Sequence, residues 1–516
     1  MRRSAFLFYL FAACLVSSGD LLAQNYVYAT GNPTFGVNIP VENGFINIAN
    51  GNLHFEFPLA THKQRGALNL NERLVYDSRI WQIVHYSGYY WWPTNVPNSS
   101  AGWRFVTGAE TGTLGNVQTQ NTLTCDPTGQ HGPYKSEVDS YTIYNWTDPS
   151  GTLHTFDASW YSIRSPCPND GPPQPQSVKG WATDASGYQI AMSGNDRSSP
   201  TSITISDNNG QQVYPQVIDR FGNFWTHDSN GNLVDDLGRT PVITTVNGNI
   251  TYYDVLAPNG PISNNGARVR YTVTTSQIPI STSFNQSGVT EYQNNGGSPP
   301  PTIAAFQSIA LPDGSSYSFT YDGYGEIQTV TLPTGGVVTY GWGTYTDSYQ
   351  NANRWIASRT LGSNPPMQFA QLVLSQCAVN GTGCQEQTTL HQPSGDETVY
   401  QLMINNGAWN TIVSAYNGPA TGQPAMQVLN TYDTSHPCSS VCTGAEYVLK
   451  TFSFTTFPGV GLRSQEQSIY TNPQVGKVNA VKDWDYYSGS PSATPTKETD
   501  YIYTGWSARH FLNQLL

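Results

Sequence analysis

Asp228, Asn230 and Asn232 offer side-chain oxygens at alternate positions, and Asp235 follows closely. Calcium takes oxygen donors from loops of this kind. Gly231 stands too early for an EF-hand loop and no glutamate closes it, so Asx turns account for the same residues. Cys125, Cys167, Cys377, Cys384, Cys438 and Cys442 form an even set once Cys14 is removed with a leader, which in an exported chain reads as disulfides. Cys377 with Cys384 and Cys438 with Cys442 are close enough to staple loops, leaving Cys125 for Cys167, one of many pairings that six cysteines allow. A zinc site from His436, Cys438 and Cys442 matches no common ligand spacing. Trp81, Tyr86, Tyr89, Tyr90, Trp91 and Trp92 are the densest aromatic stretch. Trp91 and Trp92 are the candidates for stacking on a sugar ring, with packing inside a hairpin as the alternative. Asp126-Pro127-Thr128-Gly129 and Asp148-Pro149-Ser150-Gly151 have the composition of tight turns. There is no His-Glu-x-x-His, no Gly-x-Ser-x-Gly and no phosphate-cradling glycine loop, so no catalytic residue and no cofactor is assigned. His54 and His154 fall on strand patterns and read as solvated or cross-strand partners rather than bases.

The elements that would position these residues are strands. Charged residues make up 11% of the chain, where roughly a quarter is usual, while aromatics reach 12% with 32 tyrosines. Aromatic and β-branched side chains pack well on a pleated surface, and 48 glycines and 34 prolines supply turns. Phe45 to Ala49 and Leu53 to Phe57 flank Asn50-Gly51-Asn52, a hairpin signal, and Ala67 to Ser78 alternates as a third strand. Residues 311 to 345 contain their own copy: Leu311-Pro312-Asp313-Gly314 leads into Tyr317, Phe319 and Tyr321, and Leu332-Pro333-Thr334-Gly335 leads into Val337 and Tyr340. The two turn glycines stand about 21 residues apart, the mark of a stacked repeat. An aromatic follows a turn glycine at one offset in Gly151 and Phe156, Gly248 and Tyr253, Gly314 and Phe319, Gly335 and Tyr340, and Gly395 and Tyr400. Each unit is too small to bury its own face, so neighbours must stack.

Gly51-Asn52-Leu53 with its alternation, the strand after Gly66, Arg73-x-x-Tyr76-Asp77-Ser78 and the repeat at 311 to 345 together resemble the bacterial extracellular RHS-repeat, or YD-repeat, family. Tyr-Asp recurs at Tyr253-Asp254, Tyr321-Asp322 and Tyr432-Asp433, and the turns at Asp219 to Asn223 and Asp228 to Leu233 fit the same unit. The resemblance implies an all-β fold, an extended antiparallel sheet of repeated hairpins with few helices. It also implies a shell that encloses a C-terminal effector or presents an adhesive surface. In toxin-bearing members, paired Asp-Pro-x-Gly motifs near the shell's end support self-cleavage; here the pair precedes most repeats and lacks the following leucine, which favours plain turns.

Arg2 and Arg3 before the apolar run Ala5 to Val16 read as a secretory signal, residues 1–23. Lipid anchoring at Cys14 is the lesser alternative. The remaining divisions are an all-β region 24–164, a Pro-rich loop 165–178, turn-rich repeats 179–292, a Gly/Pro linker 293–301 and YD-type repeats 302–516, which read as truncated. A half-shell with an open sheet edge is expected to aggregate. Net charge is −12, and no basic cluster survives removal of the leader, which excludes nucleic acid as a partner. No segment of the mature chain has the apolar length of a transmembrane helix. The expected function is a secreted or cell-surface structural repeat protein whose partners are a downstream effector segment or a cell-surface glycan or protein. The alternatives are a carbohydrate-binding adhesin of β-sandwich modules and a secreted glycoside hydrolase, whose paired carboxylates would be invisible in sequence.

Overall fold

The computed structural model describes residues 30–31, 36–66, 69–85, 87–93, 101–125, 136–164, 166–167, 171–257, 266–294, 301–377, 384–404, 408–433, 449–472 and 477–501. The leader with Cys14, Tyr86, the Asp126 to Gly129 tetrapeptide, His436, Cys438 and Cys442 lie outside them. Among the described residues every regular element is a strand, apart from single 3-10 turns at Tyr292–Asn294 and Pro458–Val460.

One antiparallel sheet of 17 strands runs from Val242–Asn247 to Lys497–Asp500 in chain order, stepping over only the short strand Val289–Thr290. Residues 311 to 345 show how the unit builds this wall. Strands Thr302–Ala310, Ser316–Tyr321, Ile327–Thr331 and Val337–Thr346 are consecutive neighbours. The two Leu-Pro-x-Gly turns close alike: Gly314 N–H donates to the Leu311 carbonyl at 3.0 Å and Gly335 N–H to the Leu332 carbonyl at 2.8 Å. A third turn, Asp322 to Glu326, lies between them, so the period covers two strands and two turns. Gly314 and Gly335 adopt φ of +89° and +83°, which only glycine reaches without strain.

The glycine-to-aromatic offset has a physical meaning. Phe156, Tyr253, Phe319, Tyr340 and Tyr400 are all buried, because counting from the turn places that position on the inward side of a period-two strand. Four of them join one core and Phe156 joins a second.

The first core lies between the wall and an inner five-stranded sheet made of Asn38–Val41, Gly44–Asn47, Leu53–Lys63, Asn69–Asp77 and Trp103–Val106. Leu53, Phe55, Phe57 and Leu59 alternate onto one face, as their spacing predicts. Phe57 meets Phe319 edge-on at 5.8 Å, Phe55 meets Tyr340 at 5.9 Å, and Trp103 stacks on Phe306 at 4.6 Å. The predicted hairpin pairs Phe45 with His54 and Ile46 with Leu53, while Ile48 and Ala49 belong to a longer turn rather than to the strand. Gly51 at its tip sits against the wall: a Cβ there would come within 2.6 Å of the Trp355 ring.

The second core joins two smaller sheets. Thr113–Thr124, Ser136–Thr147 and Leu153–Arg164 form one, and Pro175–Trp181, Gln189–Asn195, Ser202–Ser206 and Gln212–Tyr214 form the other. Trp146, Phe156, Trp160, Ile190, Met192 and Ile205 fill the space between. The Pro-rich stretch 165–178 thus connects two sheets that share a core, and its end is already strand. Across 293–301, Arg268–Pro279 pairs directly with Thr302–Ala310, so the wall is continuous there. Disulfides join Cys125 to Cys167, with Cα atoms 5.4 Å apart, and Cys377 to Cys384, 4.7 Å apart.

Candidate functional site

One carboxylate geometry recurs at Asp148, Asp207, Asp219, Asp228, Asp235 and Asp322. Oδ1 of each accepts the backbone N–H four residues on, at 2.8 to 2.9 Å. The glycine three residues on donates its N–H to the aspartate carbonyl. In the calcium candidates this leaves little to give a metal. Asp228 Oδ2 accepts from Asn232 Nδ2 at 3.0 Å, and Asp235 Oδ2 accepts from Arg239 Nε at 2.7 Å. Asn230 contributes its backbone N–H to Asp228 at 2.8 Å. These carboxylates are taken up within their own turns.

The fifth turn residue decides what completes Oδ2. Asn223 and Asn232 do so with their own amides, at 2.9 and 3.0 Å. After Asp322 that position is Glu326, a second acid, and Arg354 from a neighbouring part of the wall bridges them. Its Nη2 reaches Asp322 Oδ2 at 3.0 Å and Glu326 Oε2 at 2.7 Å, while the guanidinium lies 3.8 Å from the Tyr324 ring centroid. Arg79 of the inner layer donates to the Arg354 carbonyl at 2.7 Å, carrying the cluster across the interface.

Two histidines are held as buried cations: neither is solvated, and His54 is a cross-strand partner, the other reading of its strand position. His154 Nδ1 donates to Asp184 Oδ2 at 2.7 Å, and its Nε2 faces Asp148 Oδ2 at 3.5 Å. Trp146 stacks on the ring at 5.3 Å and Tyr188 meets it edge-on at 4.7 Å. Burial alone would lower the imidazole, but the two carboxylates outweigh it and push it up to about 9. Asp148, the first residue of an Asp-Pro-x-Gly tetrapeptide, is therefore occupied by its turn and by His154. His54 pairs across the strands with Asp77, at 2.8 Å, and Arg104 takes the other Asp77 oxygen at 2.5 Å. Burial opposes its charge too, and Asp77 with Glu56 raises it to about 9. Neither imidazole has a free nitrogen with which to act as a base.

Trp91 is 1% exposed and stacks on Phe284 at 3.8 Å, so it has no face for a sugar. Trp92 is half-buried, edge-on to Tyr292 at 5.3 Å. The tryptophans of the hairpin Trp81–His85 and Tyr89–Pro93 thus pack on a segment roughly two hundred residues away, while His85 and Tyr89 pack on each other. A cleft of about 610 Å³ opens where the inner sheet meets the wall, lined by Glu56, Phe57, Leu59, Tyr271, Leu311 and Tyr317. Among the described residues no group of three His, Cys, Asp or Glu side chains is arranged for a metal, and no helix is long and apolar enough to cross a membrane.

Sequence reasoning missed the His154, Asp148 and Asp184 cluster and the Arg354 bridge. A local signal existed for the second: an acid at the fifth turn position, where two of the sister turns carry asparagine and none carries an acid, demands a cation from elsewhere. Asp184 had no such signal.

No protein-family model matches the chain, and no curated protein does. Among solved structures, one titled "Crystal Structure of TcdB2-TccC3-TEV" is similar at 10% identity over 73% of this chain, with a TM-score of 0.17. This chain spans 23% of that neighbour's length.

Proposed function

We propose that this chain is a structural repeat protein, a stretch of β wall of the RHS type that encloses an effector or presents an interaction surface, exported to the cell surface or medium. One observation carries the reading: 17 strands add in chain order to a single sheet, through turns of repeated geometry. Asp228 and Asp235 are engaged in their turns, and His154 with Asp184 and His54 with Asp77 in buried ion pairs. Such a sheet curls as it grows because strands twist, and a curled wall makes a concave surface.

The test is to fuse a protease-sensitive passenger after Leu516 and challenge the purified fusion with protease. An enclosing wall predicts slower passenger cleavage than in a fusion to an unrelated β protein. Cleavage at the control rate, with glycan binding by the same preparation, would replace this reading by the adhesin. Appearance of the native chain in the medium or on intact cells tests its export.

A further inference from the structure

Glu72 breaks the pattern of its own strand. Leu70, Glu72, Leu74 and Tyr76 all point inward on Asn69–Asp77, and the other three are apolar. Leu70 packs with Val217 and Trp225, whereas Leu74 and Tyr76 join the core shared with the wall. The glutamate therefore sits between two apolar cores. It is 2% exposed, and its Oε2 has no hydrogen-bond partner. An ionised carboxylate in that position is costly unless something positive reaches it.

Something can reach it, because Glu72 forms the buried end of an open cleft of about 390 Å³. Glu110 supplies a second carboxyl, Phe105 and Val242 give apolar walls, and His227 and Asn230 stand at the exposed rim. The neighbouring cations are committed elsewhere: Arg73 pairs with Glu56 at 3.1 Å and Arg104 with Asp77 at 2.5 Å. Burial, then repulsion from Glu110, pushes the Glu72 carboxyl up to about 8. Burial raises Glu110 as well. No group of three His, Cys, Asp or Glu side chains among the described residues is arranged for a metal, and two acids in a space much larger than an ion and walled by an aromatic ring suit a carbon-bearing cation better.

We propose that this cleft binds a small organic cation, an alkylammonium or guanidinium group, with its charge between Glu72 and Glu110 and its carbon stem against Phe105 and Val242. The cation is either a free amine or a basic side chain of a partner. The proposal goes beyond the wall reading and does not depend on it.

Titration calorimetry on the purified chain tests it, with agmatine and n-butylammonium as free probes and an end-blocked arginine tripeptide as the side-chain probe. Saturable binding of any of them is expected at pH 8.5, about tenfold or more weaker at pH 6.5, where Glu72 holds its proton. The other titratable groups lining the cleft are Glu110 and His227, and Arg73 and Arg104 lie close enough to act on Glu110; Glu72→Gln must remove binding at both pH values. Glu110→Gln should weaken binding at least tenfold, and Glu466→Gln, on the exposed wall, should leave it unchanged. Glu72→Gln resembles the protonated acid and should fold, as near-UV circular dichroism will show; if it does not, Glu110→Gln decides. Binding of the tripeptide alone identifies a partner side chain as the source. No binding of any probe, equal binding of neutral 1-butanol, unchanged binding in the variants, or calcium binding that needs Glu72 while the amines fail would each overturn the proposal.

Discussion

The aspartate turns and the histidine clamps stabilise through different physics. At Asp322 or Asp228 one carboxylate oxygen satisfies backbone N–H groups that the turn would otherwise leave bare. At His154 a full positive charge is buried and compensated on both sides. Removing it leaves Asp184 and Asp148 facing each other without a cation, so His154→Gln is expected to lower unfolding stability by about 3–5 kcal/mol in urea titrations. Because folding raises His54 and His154 from 6.5 to about 9, their contribution is complete below pH 6.5 and is lost as pH rises through about 9. Asp184 and Asp148, lowered below 3.8, act oppositely and lose theirs as pH falls through their folded values. Urea midpoints should decline between pH 7 and 10, and His154→Gln should flatten that decline. If the variant keeps the wild-type slope, the imidazolium is not the group responsible. Gly314→Ala isolates backbone strain, since an added Cβ meets nothing within 4 Å. Its cost should be about 1–2 kcal/mol.

At the scale of elements, the wall and inner sheet are held by aromatic contacts at regular steps. Phe319 touches both Phe57 and Trp103. Phe319→Ala is expected to cost about 3–5 kcal/mol. Thr320→Ala, on the exposed face of the same strand, should change stability by less than about 0.5 kcal/mol. Equal effects at the two positions would mean that the inner sheet does not seat on this face. Replacing Cys125 and Cys167 together by serine should lower stability by about 2–4 kcal/mol, read as a shift in the denaturation midpoint of the unit holding the second core. The offset of five from turn glycine to aromatic is legible in sequence because turn and strand are both local and the strand period is two. The partner of each aromatic is not legible: Phe57 and Phe319 are brought together by a sheet docking on a sheet, which no spacing rule encodes.

Over the whole molecule, the wall is unevenly covered. Strands from Val242 to Ile404 carry the buried positions that join the core shared with the inner sheet, most densely between Thr302 and Leu361. Met426–Asp433 and Leu449–Phe457 hold almost only half-exposed ones, and Val460, Leu462 and Tyr486 are exposed. Hydrogen exchange should therefore be slowest in Thr302–Ala310, Ile327–Thr331 and Ala352–Leu361 and faster by orders of magnitude after Met426, since local opening follows buried apolar contact. Uniform protection along the wall would count against a stability centred on the inner sheet. The amino-acid sequence alone determined the strand class, the turn positions, the repeat and its inward aromatics, because these follow from backbone sterics and a two-residue period. It also pointed to the two disulfides that the described residues contain. Only the tertiary structure decided that Trp91 is covered, that Asp184 meets His154, that Arg354 bridges two acids, and that Glu72 lies buried at the end of an open cleft. Each of these depends on which distant strands are stacked, and burial and charge compensation are properties of that stacking rather than of any local stretch of chain.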